Sequence, residues 1–362
     1  MTINELFSVK IKKPEKKIWE ASKKKWDSIA KPIDGLGDFE SIISGIAAIK
    51  GDVDFDLSDK ALIIMCSDNG IVEEGVSQAD QSVTRGVAAL MGKRESSVGI
   101  MAKNYPVEIL TVDVGINSDE EFEGVINKKV RKGTENFLKA PAMTDEECLQ
   151  AIEAGIDVVK SCKERGIGII ATGEMGIGNT TTATAVLSAL TGVAPRKIVG
   201  RGAGLTREGL KRKKEVIKAG IRLYRKSPAP RKARRKEDVF EALRRLGGLD
   251  IAGLVGVYIG CAMEGIPVVI DGLIGAVAGL AAEKLVKGSK AFMIASHRGR
   301  EKGSELALKA LDLKPVIDAD MALGEGSGAL MIFPLLDMAM SLYLSGTTFG
   351  NTDISQYERY KR

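Results

Sequence analysis

The sequence predicts an α/β protein whose centre is a parallel β-sheet with helices packed on it. Three observations carry this. Five short apolar runs, at 61–66 (ALIIMC), 107–114 (VEILTVDV), 167–171 (IGIIA), 267–270 (PVVI) and 291–295 (AFMIA), have the length of buried strands. Segments of helical character at 146–165, 180–191, 249–264 and 272–287 fall between them. Strands that alternate with helices build parallel βαβ units. The chemically rich residues follow the apolar runs rather than precede them, as SDNG, TGEMGIGNT, DG and SHRG. In an open parallel sheet, ligands sit beyond the carboxyl ends of the strands, so these segments are expected to line one edge of the molecule.

The remaining elements follow in chain order. Residues 10–26 read as a charged helical start with Ile18 and Trp19 as packing residues. KPIDGLGDFE (31–40) is a Pro/Gly turn leading into a helix whose Ile42, Ile43, Ile46 and Ile49 share one face, and Gly51 stops it. Residues 207–226 have helical composition, and SPAP (227–230) breaks it. The helix that resumes carries Val239, Leu243 and Leu246 as its apolar stripe and closes at Gly247-Gly248. The apolar stretch IFPLLDMAMSLYLSG, near the C-terminus, is expected to fold back on the N-terminal helices as a small satellite bundle. No internal repeat of 20–50 residues stands out. The domain division expected is 1–40 and 330–362 for the small helical part, and 41–329 for the large α/β part.

Composition narrows the function. A chain of 362 residues, 44% hydrophobic and 28% charged, can bury a substantial core and is neither disordered nor fibrous. Aromatic residues are only 5%, too few for a stacking platform for single-stranded nucleic acid. The net charge of +5 is concentrated: residues 207–236 hold 14 Lys/Arg against two Glu, which leaves the rest of the chain acidic. That segment reads as a solvated helical face, with phosphate or RNA attraction as the alternative. Cys66, Cys148, Cys162 and Cys261 form no CxxC pair, and His297 is the single histidine, so a zinc site is not expected. The N-terminal residues lack an apolar signal core, and the long uncharged run 175–195 is too polar for a membrane span. A soluble, cytoplasmic protein is expected.

The strongest chemical motif is ATGEMGIGNTTTATAV (171–186), a strand running into a Gly-rich turn and a helix. Gly176 and Gly178 let the backbone wrap an anion, and the first helical amides, with Asn179, Thr180 and Thr181, supply donors. No Lys follows as in a nucleoside triphosphate loop. GRGAGL (200–205) is a second Gly-rich turn, before a basic helix in which Lys213 is either a phosphate partner or an ordinary surface lysine. LGEGSGA (323–329) sets Glu325 between glycines, as a general base or merely an acidic turn residue. Asp68, Ser77, Gln81 and Thr84, in the polar segment 67–84, line a pocket or belong to a surface loop. His297 is a base or a hydrogen-bonded structural residue.

Together these motifs resemble the nicotinate-nucleotide:dimethylbenzimidazole phosphoribosyltransferase family. KPIDGLG (31–37) echoes KPxGxLG, and DNGIVEEGVSQADQSVT (68–84) echoes D-H-G-V…E-G-V-S-x-Y-P-Q-x-V-T. GEMGIGNTT (173–181) is unbroken, and GRGAGLTREGLKRK (200–213), PVVIDG (267–272), SH (296–297) and LGEGSGA (323–329) follow in the family's order. The resemblance implies a Rossmann-like parallel sheet plus a small helical domain from both termini, and a homodimer. It implies transfer of phosphoribose from nicotinate mononucleotide to a benzimidazole-type base, with no metal or redox cofactor, no nucleic acid and no membrane span. It implies Glu325 as general base and Glu174 beside the ribose. It places Gly176, Ile177, Gly178, Asn179, Thr180, Gly202 and Lys213 on the phosphate and ribose, and Ser77, Gln81 and Leu323 at the base. The chain departs from the pattern at Asn69, where the family often has His, and at Ala79 and Asp80, where it has an aromatic residue and Pro. These departures imply a different or less restricted base.

Competing readings predict other features. A nucleotide-dependent dehydrogenase predicts GxGxxG after the first strand, where SDNGIV stands instead. A nucleic-acid module acting through 207–236 predicts steeply salt-dependent RNA binding. A catalytically idle homologue predicts binding without turnover.

Overall fold

The computed structural model describes residues 1–226 and 232–359. The first part of the chain holds α1 (Ile3–Ser8), α2 (Lys16–Ser28), α3 (Asp38–Lys50), β1 (Lys60–Ser67), α4 (Ser82–Gly92), α5 (Ser97–Met101), β2 (Glu108–Gly115) and β3 (Val125–Asn127). The middle holds α6 (Asp145–Glu164), β4 (Ile169–Met175), α7 (Asn179–Thr191), α8 (Arg207–Lys226), α9 (Lys236–Leu246) and α10 (Leu249–Glu264). The rest holds β5 (Val268–Ile270), α11 (Leu273–Leu285), β6 (Met293–Ala295), α12 (Lys302–Leu311) and α13 (Ser327–Ser345).

The strands form one sheet in the order β3-β2-β1-β4-β5-β6, and every pairing is parallel. The chain builds outward from β1 to β3, then returns to the other side of β1 with β4. The β1/β4 junction is therefore the switch point, where the segments that follow the two strands diverge and leave a crevice. Strand β1 is buried along its whole length. Its Ile63 and Met65 face one core with α6, α7, α10 and α11, while Leu62, Ile64 and Cys66 face a second core with α3 and α13. Helices α6 and α10 touch backbone to backbone. A Cβ on Gly155 would strike the Gly253 carbonyl, and one on Gly256 the Ile152 carbonyl.

All five expected strands form; the three-residue β3 was not anticipated. Helix α3 buries Ile43 and Ile46 and ends at Gly51 in the left-handed region (φ 76°). In α9, Val239, Leu243 and Leu246 are buried as their spacing implies. The break assigned to 227–230 lies outside the described residues. In α2 the anchoring residue is Trp26, fully buried, whereas Trp19 is exposed. Ile18 packs partly buried against the second core as expected, and it is Trp26 that meets Tyr343 of α13, with ring centroids 4.9 Å apart.

The helices from both chain ends do meet: Tyr343 Oη donates to Ser22 Oγ at 2.9 Å. They share their core with one face of the sheet rather than enclosing a separate one. The boundaries 40/41 and 329/330 fall inside α3 and α13. Among the described residues, α13 is the one helix long and apolar enough to cross a membrane, and 56% of that stretch is buried inside the fold. Pro334 and Asp337 interrupt it.

Candidate active site

Strand β4 ends at Met175, and Gly176–Gly178 turn the chain into α7. Gly178 has φ 95°, where a side chain would be strained. Gly176 packs so closely on Asp250 that a Cβ would lie 2.6 Å from its Oδ2. The Ile177 amide donates to Thr84 Oγ1 at 3.1 Å, which braces the turn from α4. Among the described residues, the amides of Gly178 and Thr180 have no acceptor. Two such amides at the positive end of a 13-residue helix make a ready anion seat.

A cation stands behind that seat. Lys213 is fully buried, and its Nζ donates to Thr180 Oγ1 at 2.7 Å. Its ammonium hydrogen-bonds a hydroxyl, and burial pushes its pKa down to about 8 against the opposing charge of Glu301. Of the two readings of this residue, the surface lysine is the one the structure overturns. The reason was visible in α8, where Lys213 stands one turn before Val216 and Ile217 on the buried stripe. The other basic residues of α8 are exposed, as a solvated face requires. Gly202, from the second Gly-rich turn, lies against both groups. A Cβ there would be 2.8 Å from Thr180 Oγ1 and 3.3 Å from Lys213 Nζ.

Across the crevice, residues 324–326 form a turn with all three φ values positive: 85° at Gly324, 60° at Glu325 and 84° at Gly326. A non-glycine residue in that region is strained and persists only where the surroundings hold it. Here Asp271, at the end of β5, accepts the amides of Gly328 and Ala329 at 3.0 and 3.1 Å and anchors the start of α13. His297 packs on Gly328, and its Nδ1 is 2.9 Å from Ser296 Oγ. Glu325 Oε2 accepts the Val98 amide at 3.2 Å.

The two turns meet. A Cβ on Gly173 would lie 2.5 Å from the Glu325 carbonyl, and one on Gly324 would lie 3.2 Å from Glu174 Oε1. Glu174 accepts a hydrogen bond from Asn179 Nδ2. Burial, then the neighbouring Asp250, raises the Glu174 pKa to about 8 against the opposing Asn179 bond, and Asp271 and Glu325 add to the rise. Asp250, buried under the turn, is raised to about 7, chiefly by desolvation.

One cavity of about 320 Å³ joins these groups. Glu174, Gly176, Ile177, Asn179, Thr180, Gly202, Leu323 and Glu325 line it, with Val83, Val87, Leu273 and Ile274 as apolar wall. Gly178 turns behind the lining. Ser77 and Gln81 lie outside it: Ser77 Oγ accepts the Ala79 amide, and Gln81 Oε1 accepts from Asn117 Nδ2 at 2.7 Å.

The segment after β1 needs correction. SDNG does not line the edge, because Ser67, Asp68 and Asn69 are fully buried beneath it. Asp68 accepts the Asn117 amide at 2.8 Å, so it supports the β2 end and not a pocket. Asn69 packs against Gly248 and takes a hydrogen bond from Thr182 Oγ1 at 3.3 Å; it underlies the phosphate turn and does not face a base. Asp80 is exposed, and its carboxylate closes a local turn onto the Ser82 amide at 2.8 Å. Asp271 lines the cavity, as expected of the DG after PVVI; Arg300, Glu301 and Ser304 line it too and carry no such expectation. These three sit around an ordinary helix start that acquires its place only through β6.

The family model DBI_PRT, described as phosphoribosyltransferase, matches residues 11–354. A nicotinate-nucleotide–dimethylbenzimidazole phosphoribosyltransferase of Clostridium acetobutylicum is 42% identical over 347 residues, covering 96% of both chains. One of Ruminiclostridium cellulolyticum is 40% identical and covers 99% of both. The crystal structure of CobT from Thermus thermophilus superposes with a TM-score of 0.87 at 32% identity, over 94% of this chain and 100% of that one. Fold, motif order and near-complete coverage agree: the chain belongs to this phosphoribosyltransferase family.

Proposed function

We propose that the chain transfers phosphoribose from nicotinate mononucleotide to a benzimidazole-type base, releasing nicotinate and an α-ribazole 5′-phosphate for the lower ligand of a cobamide. The observation that supports this best is the meeting of the Glu325 turn with Gly173 and Glu174 above an anion seat. The 5′-phosphate rests on the amides of Gly178 and Thr180, with Lys213 as counter-charge. The nicotinate nitrogen is cationic in the substrate, so it leaves with the C1′–N bonding pair and needs no proton. The incoming base bonds C1′ through one ring nitrogen from the opposite face, which inverts β to α. Its other nitrogen gives its proton to Glu325. The cationic ring of the substrate, brought beside Glu174, favours the ionised carboxylate there, so binding and ionisation of Glu174 are coupled. Leu323, which lines the cavity, is assigned to the base side, together with Ser77 and Gln81, which lie outside the lining.

Incubation with nicotinate mononucleotide and a panel of benzimidazoles, purines and phenols, read by mass spectrometry, tests the reading. It requires stoichiometric nicotinate and a new riboside phosphate; hydrolysis alone, or no product, rejects it.

The homodimer rests on an apolar stripe. Met331, Leu335 and Met338 of α13 are exposed at spacings of four and three, beside Ile100 and Met101 of α5. Such a patch is what a second copy of the chain would cover. Sedimentation should give a dimer that Met338→Glu dissociates. Four free, buried cysteines suit the reducing cytoplasm, where we assign the enzyme.

A further inference from the structure

We infer that Glu301 and Ser304, at the start of α12, form the subsite that reads the ribose hydroxyls of the nucleotide; this deepens the transferase reading and rests on it. Glu301 Oε1 accepts the Gly202 amide at 2.7 Å, which ties the second Gly-rich turn to α12. Its other oxygen, Oε2, is buried without a partner among the described residues. Ser304 is fully buried, its Oγ is likewise unpartnered, and its amide is bonded to the Glu301 carbonyl at 2.9 Å. Both residues line the cavity. A buried acceptor and a buried hydroxyl left unmade are costly, so the pair is incomplete until a ligand supplies its donors.

The chemistry selects the ligand. An ionised carboxylate only accepts, so Oε2 calls for an O–H or N–H donor. A phosphate dianion offers none and would be repelled. The serine hydroxyl both donates and accepts, so the two groups together match a vicinal diol. Position agrees with chemistry. Gly202 turns its amide to Glu301, while its Cα faces Thr180 Oγ1 and Lys213 Nζ. The hydroxyl-reading groups and the phosphate-holding groups thus lie on two sides of one glycine. A sugar ring and its own 5′-phosphate are likewise adjacent groups of one molecule, so a single nucleotide can meet both. The absence of side chains at Gly200 and Gly202 leaves room for this approach: a Cβ on Gly200 would collide with the Glu301 carboxylate.

The test is a cycle between protein and substrate. Wild type, Glu301→Gln, Glu301→Ala and Ser304→Ala are assayed with nicotinate mononucleotide and with its 2′-deoxy and 3′-deoxy analogues. Wild type should lose ~10- to 100-fold in kcat/KM on at least one deoxy analogue. The Glu301 variants should lose a similar factor on the ribonucleotide and show little further loss on that analogue. Independent, multiplying losses on both analogues would overturn the assignment. Glu301→Gln keeps an acceptor for Gly202, and Ser304→Ala removes one oxygen, so these two carry the test if Glu301→Ala does not fold. Calorimetric binding of the three nucleotides gives the same cycle without turnover. A wild type that binds with hydroxyl discrimination but transfers nothing would sink the transferase reading alone.

Discussion

The two halves of the cavity are built differently. The phosphate side is rigid and redundant. Its turn is braced by Thr84, packed on Asp250 and backed by a buried lysine, and its donors are largely backbone. The base side has little of this. Leu323 is 55% exposed, Asp80 is spent on a local turn, and among the described residues no Phe, Tyr or Trp lines the cavity. The difference teaches where selectivity resides. On the proposed reading, the nucleotide is held by fixed geometry, whereas the base meets a small apolar wall and the one carboxylate assigned to take its proton.

Four experiments break or sharpen that contrast. The largest effect is expected at the junction of the halves. Glu325→Gln should lower kcat by ~10²- to 10⁴-fold while leaving nicotinate mononucleotide binding within about twofold. Unchanged turnover would remove Glu325 from the proton transfer. Next is the phosphate side: Lys213→Met should raise KM for the nucleotide by ~10- to 100-fold and hardly change KM for the base. With its pKa near 8, Lys213 loses its charge above that pH, so nucleotide binding to wild type should weaken there. Equal effects on both KM values would mean that the halves are not separable.

The third concerns stability. Asp250 stays protonated to about pH 7 in the fold but ionises near 4 when unfolded. Its folded pKa is raised, so its contribution is complete below the unfolded value and is lost as pH rises through about 7. Wild type should therefore lose stability relative to Asp250→Asn between pH 4 and 8, by ~4 kcal/mol at most. Parallel melting curves across that range would refute a buried neutral acid under the turn. The smallest effect is expected on the base side. Ala79→Tyr introduces the aromatic residue that the family pattern has at this position and should shift selectivity toward benzimidazoles by ~2- to 10-fold in competition assays. An unchanged ranking of bases would show that position 79 does not reach the base.

The strands and their order of chemistry were legible because strand-length apolar runs, Gly-rich turns and helix caps are local signals. The phosphate turn was legible for the same reason: strand, glycines and Asn-Thr-Thr stand together in GEMGIGNTT. The base side was read less well, because a polar loop says nothing of which way it faces. Asp68 and Asn69 look like pocket residues in the sequence and lie beneath it in the fold, since the β1 end is covered by neighbouring backbone.

By itself, then, the sequence determined the α/β class, the Gly-rich turn between β4 and α7 and the candidate carboxylates, all carried by residues adjacent in the chain. Only the tertiary structure decided that Glu325 meets Glu174, that Lys213 is buried rather than solvated, and that Glu301 shares their cavity. Those neighbours come from strands and helices far apart in sequence. Parallel pairing brings the ends of β4, β5 and β6 to one edge, and burial there sets the protonation of what it encloses.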